Sequence, residues 1–440
     1  MCKSQKQYTW EEVAEHNSAD DLYVAIRGKV YDVTKFKDTH PGGLETLLAA
    51  GGRDATQVFE TYHSFRVKEL LHKYEVGHLV TNELPTFPAP NEFFVAVKSR
   101  VDDYFKKTKQ NPKYNHWMLV RYFAIFGTIF GSWAITLNTD SLPLQLLLCL
   151  PLGLACAMVG LMPMHDSSHF SFTHNPTVWF ALGATHDFVN GASYLCWLYQ
   201  HMLGHHPYTN IDGADPDIVT SENDVRRIKT SQPWYSFYVN QHIYVPILYA
   251  VLGLKTRFQD VTIVFGSKMN GAIRVNNPSP AQTYVFWGGK VFFALYRLVL
   301  PLALGMSLLR VIGLFLLSDA VTSYWLALTF QANHVVEDVA WPELDSKGNI
   351  LRDWAEHQVD TTQDYAHESW FWNVFSGALN HQTTHHIVPQ VNQYYYPEIS
   401  PIVRQAAKEF NIPYHYKETY SEAIGGHLQH LYNLGHKTNE

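Results

Sequence analysis

Histidines are concentrated in three short clusters of the chain, and each cluster has the spacing of a metal-binding helix face. Side chains three or four residues apart share one face of a helix, so each cluster can direct several imidazoles to one point. A further histidine follows an asparagine at the end of an apolar stretch and brings in a fourth segment. The candidate metal ligands are His165, His169, His201, His205, His206, His334, Gln382, His385 and His386.

The number of imidazoles indicates more than one metal ion. Eight histidines are too many for one tetrahedral zinc, whereas two ions with four or five nitrogen ligands each, and an open position, use them all. Imidazole binds zinc, copper and iron alike, so ligand type does not select the metal. One geometrical difficulty concerns His206, which lies about 100° around a regular helix from His205. Either a local distortion or ligation of the second metal is therefore expected there.

Metal-bound histidines usually donate their other ring N–H to a carboxylate or a carbonyl. Acidic residues near the clusters could accept these hydrogen bonds, but their spacing does not choose among them. The candidates are Asp166, Asp187, Asp215, Asp217, Glu337 and Asp364.

Four apolar segments must position the clusters. Residues 146–164 carry no charge over nineteen positions, long enough to cross roughly 30 Å of hydrocarbon. The other three predicted spans are residues 117–137, 284–304 and 309–330. Lys and Arg collect in the segment between the two pairs of spans, and such residues favour the cytoplasmic side. Both termini and all the clusters are therefore predicted to be cytoplasmic.

The first 83 residues form a separate polar unit, followed by a Pro-rich spacer at residues 84–90. Residues 25–34 predict two short strands around Gly28. The motif at residues 31–36, the His40-Pro-Gly-Gly turn and the Tyr62-His63 pair together resemble cytochrome b5. The resemblance implies a haem b with His40 and His63 as its two axial ligands. Because both axial positions are then filled by protein, the haem's remaining role is electron transfer.

An electron carrier fused to the histidine clusters narrows the choice of metal. Zinc has no redox role, and a haem would be superfluous to hydrolysis. Two iron ions acting with molecular oxygen are therefore the preferred interpretation. The net charge of −7, without a basic block, makes nucleic acid an unfavourable partner.

The order of the three clusters, with Gln382 opening the third, resembles the membrane fatty acyl desaturases over residues 8 to about 430. The fused haem unit and this glutamine are similar to the front-end branch, which inserts a cis double bond between an existing one and the carboxyl group. The resemblance implies that the nine candidate residues surround two irons, with Gln382 standing where other desaturases have histidine. It also implies NADH-cytochrome b5 reductase, O2, a fatty acyl substrate and membrane lipid as partners, in the endoplasmic reticulum membrane.

Three stretches, residues 183–193, 200–210 and 324–334, are most similar to fungal-type delta-5 desaturases. This similarity implies conversion of a C20 substrate, dihomo-gamma-linolenic acid, to arachidonic acid. The third cluster departs from the Gln-Ile-Glu-His-His form frequent in this branch. Delta-4 and delta-6 desaturation stay open, as do acyl hydroxylation and acetylenic-bond formation on the same scaffold. The alternative from another functional class is a membrane-anchored haem carrier whose histidine clusters are structural or bind zinc.

The predicted architecture has two parts. An N-terminal α+β cytochrome b5-like haem domain at residues 1–83 is followed by a linker and juxtamembrane helix at 84–116. Residues 117–440 form an all-α integral membrane desaturase domain with about four transmembrane helices and a cytoplasmic helical cap. The acyl chain is expected in a narrow tunnel, carried by coenzyme A or by a phospholipid. Aromatic residues proposed to line it are Trp197, Tyr199, Tyr324, Trp325 and Phe330.

A basic segment between the two pairs of spans has two interpretations. Arg226, Arg227 and Lys229 could bind a headgroup or a coenzyme A phosphate, but a solvated loop is the preferred interpretation.

Overall fold

The computed structural model describes residues 6–64, 67–218 and 224–437. Its N-terminal unit is a five-stranded sheet in the order β1-β5-β4-β3-β2, with β1 and β5 parallel and the other pairs antiparallel. The strands are β1 Lys6–Tyr8, β2 Asn17–Ser18, β3 Asp21–Ile26, β4 Lys29–Asp32 and β5 Glu75–Leu79. The helices of this unit are Trp10–Glu15, Gly43–Ala50, Thr56–Tyr62 and Lys68–Leu71.

The two strands predicted around Gly28 are confirmed as the hairpin of β3 and β4. Ile26 pairs with Lys29, so the loop has only two residues, Arg27 and Gly28. Both have positive φ, 52° and 72°. A two-residue hairpin of this type requires positive φ at both positions, which glycine adopts without strain. The hairpin supports the small core formed by Leu22, Val24 and neighbouring side chains.

A helix joins this unit to the rest of the chain. It spans Glu92–Thr108, and the Asn91 side chain caps its start by accepting hydrogen bonds from the amides of Phe93 and Phe94. An asparagine at this position satisfies amides that have no partner inside the helix. The buried face of the helix packs against a C-terminal helix, Tyr396–Glu409. The linking helix thereby brings the N-terminal unit against the C-terminal part of the chain.

Four helices are long and apolar enough to cross a membrane, as predicted. Within the described residues they are span 1 (His116–Asn138), span 2 (Leu142–Ser168), span 3 (Pro280–Ala303) and span 4 (Leu308–His334). Span 2 packs against spans 1 and 4, and a Cβ on Gly153 would come within 2.4 Å of the Ser318 carbonyl oxygen. Small residues permit such close helix approach in membranes. Large apolar side chains such as Phe123 and Leu309 point outward, as a lipid-facing surface requires.

Short helices and strands fill the remainder and lie over one end of the spans. Two segments have π-helical geometry next to histidine clusters, Gly160–Met164 inside span 2 and Leu198–His205. The other helices are Pro176–Asn190, Tyr194–Trp197, His206–Tyr208, Gln241–Leu248, Leu252–Val261, Trp354–Asp360, Trp370–Phe375, Gln382–Ile387, Tyr396–Glu409 and Tyr420–His436. Shorter 3-10 or π segments are Ser236–Asn240, Tyr249–Val251, Thr262–Ser267, Leu379–His381 and Gln393–Tyr395, and the small strands are Met269–Asn270, Ile273–Arg274, Gln363–Tyr365 and His415–Lys417.

The preferred interpretation of the basic segment as a solvated loop is wrong for Arg227, which is only 1% exposed. Its guanidinium donates to the carbonyl oxygens of Gln232, Thr230 and Leu434. Arginine has five N–H donors and no acceptor, so a ring of carbonyls satisfies it in a buried position. This residue therefore anchors the C-terminal helix and is not a headgroup ligand.

Candidate metal centre

The first cluster lies at the end of span 2, directly after the π-helical segment Gly160–Met164. His165 and His169 are one helical turn apart, and the His169 amide donates to the His165 carbonyl oxygen. Their rings are 4.7 Å apart between centroids. Span 2 thus delivers both imidazoles to the same place.

The second cluster lies on the π-helical segment Leu198–His205, which resolves the difficulty with His206. In a π-helix the backbone hydrogen bond runs between residues five apart, and here the His206 amide donates to the His201 carbonyl oxygen. The two side chains therefore share a face, with their Nε2 atoms 3.1 Å apart. His205 faces a different group, with its Nε2 3.3 Å from that of His334. The predicted local distortion is present. It directs His201 and His206 to one set of imidazoles and His205 to another.

The third cluster folds back over the first two. The Nε2 atom of His385 lies 3.0 Å from that of His206, and the His386 ring stacks on the His206 ring with centroids 4.2 Å apart. The Gln382 amide nitrogen lies 2.8 Å from His334 Nε2 and 3.1 Å from His386 Nε2. Asn333 holds this glutamine by donating to its Oε1 at 2.9 Å.

All nine predicted residues therefore meet at one buried site, and every one of them is at most 6% exposed. They form two adjoining groups that meet at His206, His385 and His386. The first group comprises His165, His169, His201, His206 and His385, and the second comprises His205, His334, Gln382 and His386.

The spacing of the nitrogens fits bound metal ions. Two nitrogens at about 2.1 Å from one ion, at angles between octahedral and tetrahedral, lie about 3.0–3.4 Å apart. The Nε2 pairs of His165 with His201, and of His205 with His334, are 3.1 Å and 3.3 Å apart. In addition, the buried Nε2 of His169 has no hydrogen-bond partner among the described residues. Converging imidazole nitrogens of this kind fit two cations.

Five of the eight imidazoles make a hydrogen bond through the opposite ring nitrogen, and these bonds orient the rings. Nδ1 of His205 lies 3.1 Å from an Asp215 carboxylate oxygen, and Nδ1 of His386 lies 2.6 Å from Gln358 Oε1. The remaining contacts are His334 Nδ1 to the Thr361 carbonyl oxygen at 3.2 Å, His385 Nδ1 to Tyr396 Oη at 3.3 Å, and His169 Nδ1 to Tyr62 Oη at 2.6 Å. Partners of this kind fix the tautomer and the ring orientation. Among the six acidic candidates, Asp215 is the one that reaches a histidine of the set directly, with Asp217 slightly further away at 3.5 Å.

Electrostatics distinguish His205 from the other histidines of the second and third clusters. Burial lowers the pKa of His169, His201, His206, His385 and His386 well below its ordinary value, so these rings are neutral. For His205 burial acts in the same direction, but Asp215 and Asp217 outweigh it and raise the pKa to about 9. Two carboxylates therefore favour positive charge at this position, which a metal cation supplies as well as a proton does.

Replacing Asp215 by asparagine is expected to weaken metal binding. The amide keeps the shape but removes the charge and can present a donor to His205, so the ring loses its orientation. Removal of such partners typically costs 10- to 100-fold in metal affinity, and a loss of about this size is expected here. The measurement is metal content after dialysis against graded chelator, with Asp212→Asn as the control because Asp212 is exposed. Equal metal retention in the two variants would contradict the assignment.

The N-terminal unit brings His40 and His63 face to face. Their ring centroids are 6.0 Å apart, about the separation expected when two imidazoles bind opposite faces of one iron through nitrogens at about 2 Å. His63 Nδ1 lies 3.0 Å from the Phe59 carbonyl oxygen, which leaves Nε2 free. Burial lowers the pKa of both, to about 4 for His63, so both are neutral. The pair fits a haem.

Only part of the aromatic set proposed for the tunnel lies at this centre. Trp197 stacks on His201 with centroids 4.4 Å apart, and Phe330 lies beside Trp197. Tyr199 instead packs under the Arg53 guanidinium of the N-terminal unit, and Tyr324 donates to the Ile247 carbonyl oxygen. The sequence pattern did not distinguish these positions because all of them are apolar aromatic residues near a cluster.

Comparisons with known proteins agree with both parts of the chain. A cytochrome b5-like haem/steroid binding domain model matches residues 9–80, and a fatty acid desaturase model matches residues 141–418. A Mortierella alpina protein named acyl-lipid (8-3)-desaturase is 52% identical over 99% of this chain and 98% of its own length. Delta(5) fatty acid desaturase A of Dictyostelium discoideum is 40% identical over 98% of this chain and 94% of its own length.

One solved structure matches a small part of the chain. Ectothiorhodospira vacuolata cytochrome b558, described as a prokaryotic homologue of cytochrome b5, is 40% identical, and the match covers 17% of this chain and 100% of that chain with a TM-score of 0.17. The cytochrome b5-like domain implies a haem, and the buried histidine groups fit a di-iron centre. The chain is therefore an oxidoreductase that belongs to the fatty acid desaturase family and carries an N-terminal cytochrome b5-like domain.

Proposed function

We propose that this protein is a front-end delta-5 desaturase that inserts a cis double bond into a C20 polyunsaturated acyl chain. The observation that carries the proposal is the buried pair of histidine groups next to a fused haem-binding pair. The relatives are named an acyl-lipid (8-3)-desaturase and a delta(5) fatty acid desaturase. These names support the delta-5 position of the new double bond and favour a lipid-bound acyl chain. Conversion of dihomo-gamma-linolenic acid to arachidonic acid is the corresponding reaction.

In this proposal the two histidine groups each hold one iron, and His40 and His63 hold the haem iron. When bound, reduced di-iron with O2 supplies an oxidant strong enough to remove hydrogen from an unactivated methylene. Gln382 lies between the imidazoles of His334 and His386 in the second group, where Asn333 fixes its amide by donating to Oε1. The protein's own task is positioning, since a well-oriented reactant avoids much of the entropic barrier.

Two cavities that share lining residues support a path for the acyl chain. One of about 640 Å³ lies between spans 1 and 3 and helix Pro176–Asn190, and its lining is almost entirely apolar. It shares Phe180 and Val285 with a second cavity of about 300 Å³, which reaches Phe170 and Met202 beside the histidine clusters. An apolar chain that entered from the lipid along this path would pass beside residues that flank the first two histidine clusters. We propose these cavities, more than the five aromatic residues named from the sequence, as the substrate passage.

Replacing Ala184 by phenylalanine is expected to shorten the preferred acyl chain. Ala184 lines the larger cavity, and the added ring fills space that methylenes would occupy. Loss of room for two methylenes, at about 0.8 kcal/mol each, shifts the preference from C20 towards C18 by about tenfold. The measurement is competition between C18 and C20 substrates in one culture. Ala124→Phe is the matched control, because Ala124 is an exposed alanine of span 1, and an equal shift in both variants would contradict the passage.

The remaining features of the proposal concern the cellular setting. We propose NADH-cytochrome b5 reductase as the electron donor and the endoplasmic reticulum membrane as the location, with the termini and the metal centre on the cytoplasmic side. The basic segment between spans 2 and 3 supports this orientation. Proteolysis of sealed microsomes tests it, since the N-terminal domain should be digested from outside.

Product analysis in yeast fed defined polyunsaturated acids tests the function. A new delta-5 double bond in the C20 acid is the expected result. A product desaturated at delta-4 or delta-6, or one bearing a hydroxyl or a triple bond, would replace the delta-5 assignment with the corresponding alternative. The absence of any modified acid from all fed substrates would contradict the desaturase proposal itself.

A further inference from the structure

The N-terminal domain is packed directly against the metal centre. Asn276 donates to the carbonyl oxygens of Leu48 and Gly51 at 2.7 Å and 2.9 Å, and Arg53 donates to the Arg274 carbonyl oxygen at 2.7 Å. Ser279 donates to Glu45 at 2.8 Å. Hydrogen bonds to buried backbone carbonyls fix the position of the domain, because breaking one leaves an unsatisfied group.

Tyr62, the residue that precedes His63, makes a direct contact between the N-terminal domain and the metal centre. Its hydroxyl oxygen lies 2.6 Å from Nδ1 of His169. The two rings are nearly parallel, with an interplanar angle of 17°, and the tyrosine ring also packs edge-on against Phe170. Nδ1 of His169 is the nitrogen opposite the unpartnered Nε2 that faces the other imidazoles. A continuous path of covalent bonds and one hydrogen bond therefore joins His63 to His169.

The helix end that carries Tyr62 is held in place by the linking helix. The Lys98 ammonium donates to the carbonyl oxygens of Glu60, Thr61 and His63 at 2.7 Å, 3.3 Å and 2.9 Å. A cation at a helix C-terminus satisfies carbonyls that have no partner inside the helix. Lys98 thus fixes the backbone on both sides of Tyr62.

We propose that Tyr62 is the positioning residue that couples the haem to the metal centre for electron transfer within one chain. This inference rests on the proposed function. With a haem held by His40 and His63 and iron held by the histidine groups, each transfer would oxidise the ferrous haem to ferric and reduce one ferric iron to ferrous, one electron in each case. Two transfers supply the two electrons that, with two hydrogens from the substrate and two protons, reduce O2 to two waters. NADH through the reductase then reduces the haem again.

The hydroxyl is required as a hydrogen-bonding group and not as a source of electrons. A metal on His169 Nε2 leaves Nδ1 protonated, and this N–H donates to the Tyr62 oxygen. The contact therefore joins the two sites without moving a proton between them.

The experiment compares Tyr62→Phe and Tyr62→Leu with the wild-type full-length protein, loaded with haem and iron. The haem is reduced anaerobically, the protein is mixed with O2 and acyl substrate, and haem reoxidation is followed from its visible absorbance. Tyr62→Phe is expected to reoxidise about tenfold more slowly, which corresponds to about 1.4 kcal/mol, the size of one hydrogen bond. Tyr62→Leu, which also lacks the ring, is expected to be slower still.

Three controls give every outcome a meaning. Tyr23→Phe is the matched variant, since Tyr23 packs against Tyr8 and His16 of the same domain, and it should keep the wild-type rate. Haem spectra and iron content are measured in each variant, and iron-depleted wild type gives the background rate.

Reoxidation at the wild-type rate in both Tyr62 variants would overturn the proposal. Slow reoxidation that returns to the wild-type rate after iron reloading would also overturn it, because Tyr62 would then serve iron binding. Failure of the proposed function would instead appear as unmodified acyl substrate with the wild-type protein.

Discussion

Replacement of His385 by alanine is expected to abolish turnover while leaving the haem spectrum intact. His385 belongs to both the first histidine group and the set that joins the two groups, and its Nε2 lies 3.0 Å from that of His206. The substitution removes the imidazole nitrogen of His385 at the place where the two histidine groups, and so the two proposed ions, adjoin. Activity should fall by more than about a hundredfold. Loss of a residue that only hydrogen-bonds to a metal ligand costs at most about this much. The haem pair lies in another domain and keeps both of its imidazoles.

The measurements are product formation in yeast and the absorbance spectrum of the purified variant. His174→Ala is the matched control, because His174 is close to the first cluster in sequence but exposed. It should keep wild-type activity. Residual activity of His385→Ala above a tenth of the wild type would contradict a ligand role, and loss of the haem spectrum as well would indicate general unfolding.

Replacement of His63 by alanine should have the converse effect. The His63 ring faces His40 across a centroid separation of 6.0 Å, and its Nδ1 is oriented by the Phe59 carbonyl oxygen. Without it the haem has one protein ligand in place of two. The variant is expected to lose most of its haem and, with it, nearly all turnover, because the metal centre no longer receives electrons from within the chain. The iron of the histidine groups should remain.

Haem absorbance, non-haem iron and turnover are compared in His63→Ala and in the control His72→Ala, whose side chain is exposed in the same domain. Only the first variant should lose haem. A His63→Ala protein that keeps a wild-type haem spectrum would exclude His63 as an axial ligand. Normal turnover in a protein that has lost its haem would show that the fused domain is not the electron source.

The four spans were predictable because apolar runs of about twenty residues with at most two charges have few structural alternatives. The histidine clusters were predictable as sets for a similar reason, since their spacing matches a helix face. The positions of individual imidazoles were not. His206 faces His201 only because the backbone adopts a π-helical turn, and a regular helix would have turned it away. The sequence pattern predicted either a local distortion or ligation of the second metal at His206, but not which of the two, nor which group His206 would join.

Contacts between distant segments were the part that the sequence did not reveal. Gln358 and Thr361 orient two of the histidines, yet both lie outside every cluster and have no motif. The Tyr62 contact with His169 depends on how two domains dock, which local patterns do not encode. Arg227 was misjudged for the same reason, since the carbonyls that surround it include one from the C-terminal helix. In each case a pairing across a large sequence separation determines the role of the side chain.

The ratio of iron to haem in purified protein tests the central claim most directly. The claim is that the histidine groups hold two irons next to a single haem, so total iron per haem should be close to three. A membrane-anchored haem carrier with structural or zinc-binding histidine clusters contains only haem iron. A ratio close to three is the predicted result, and a ratio close to one, in protein that retains its haem, would contradict the account.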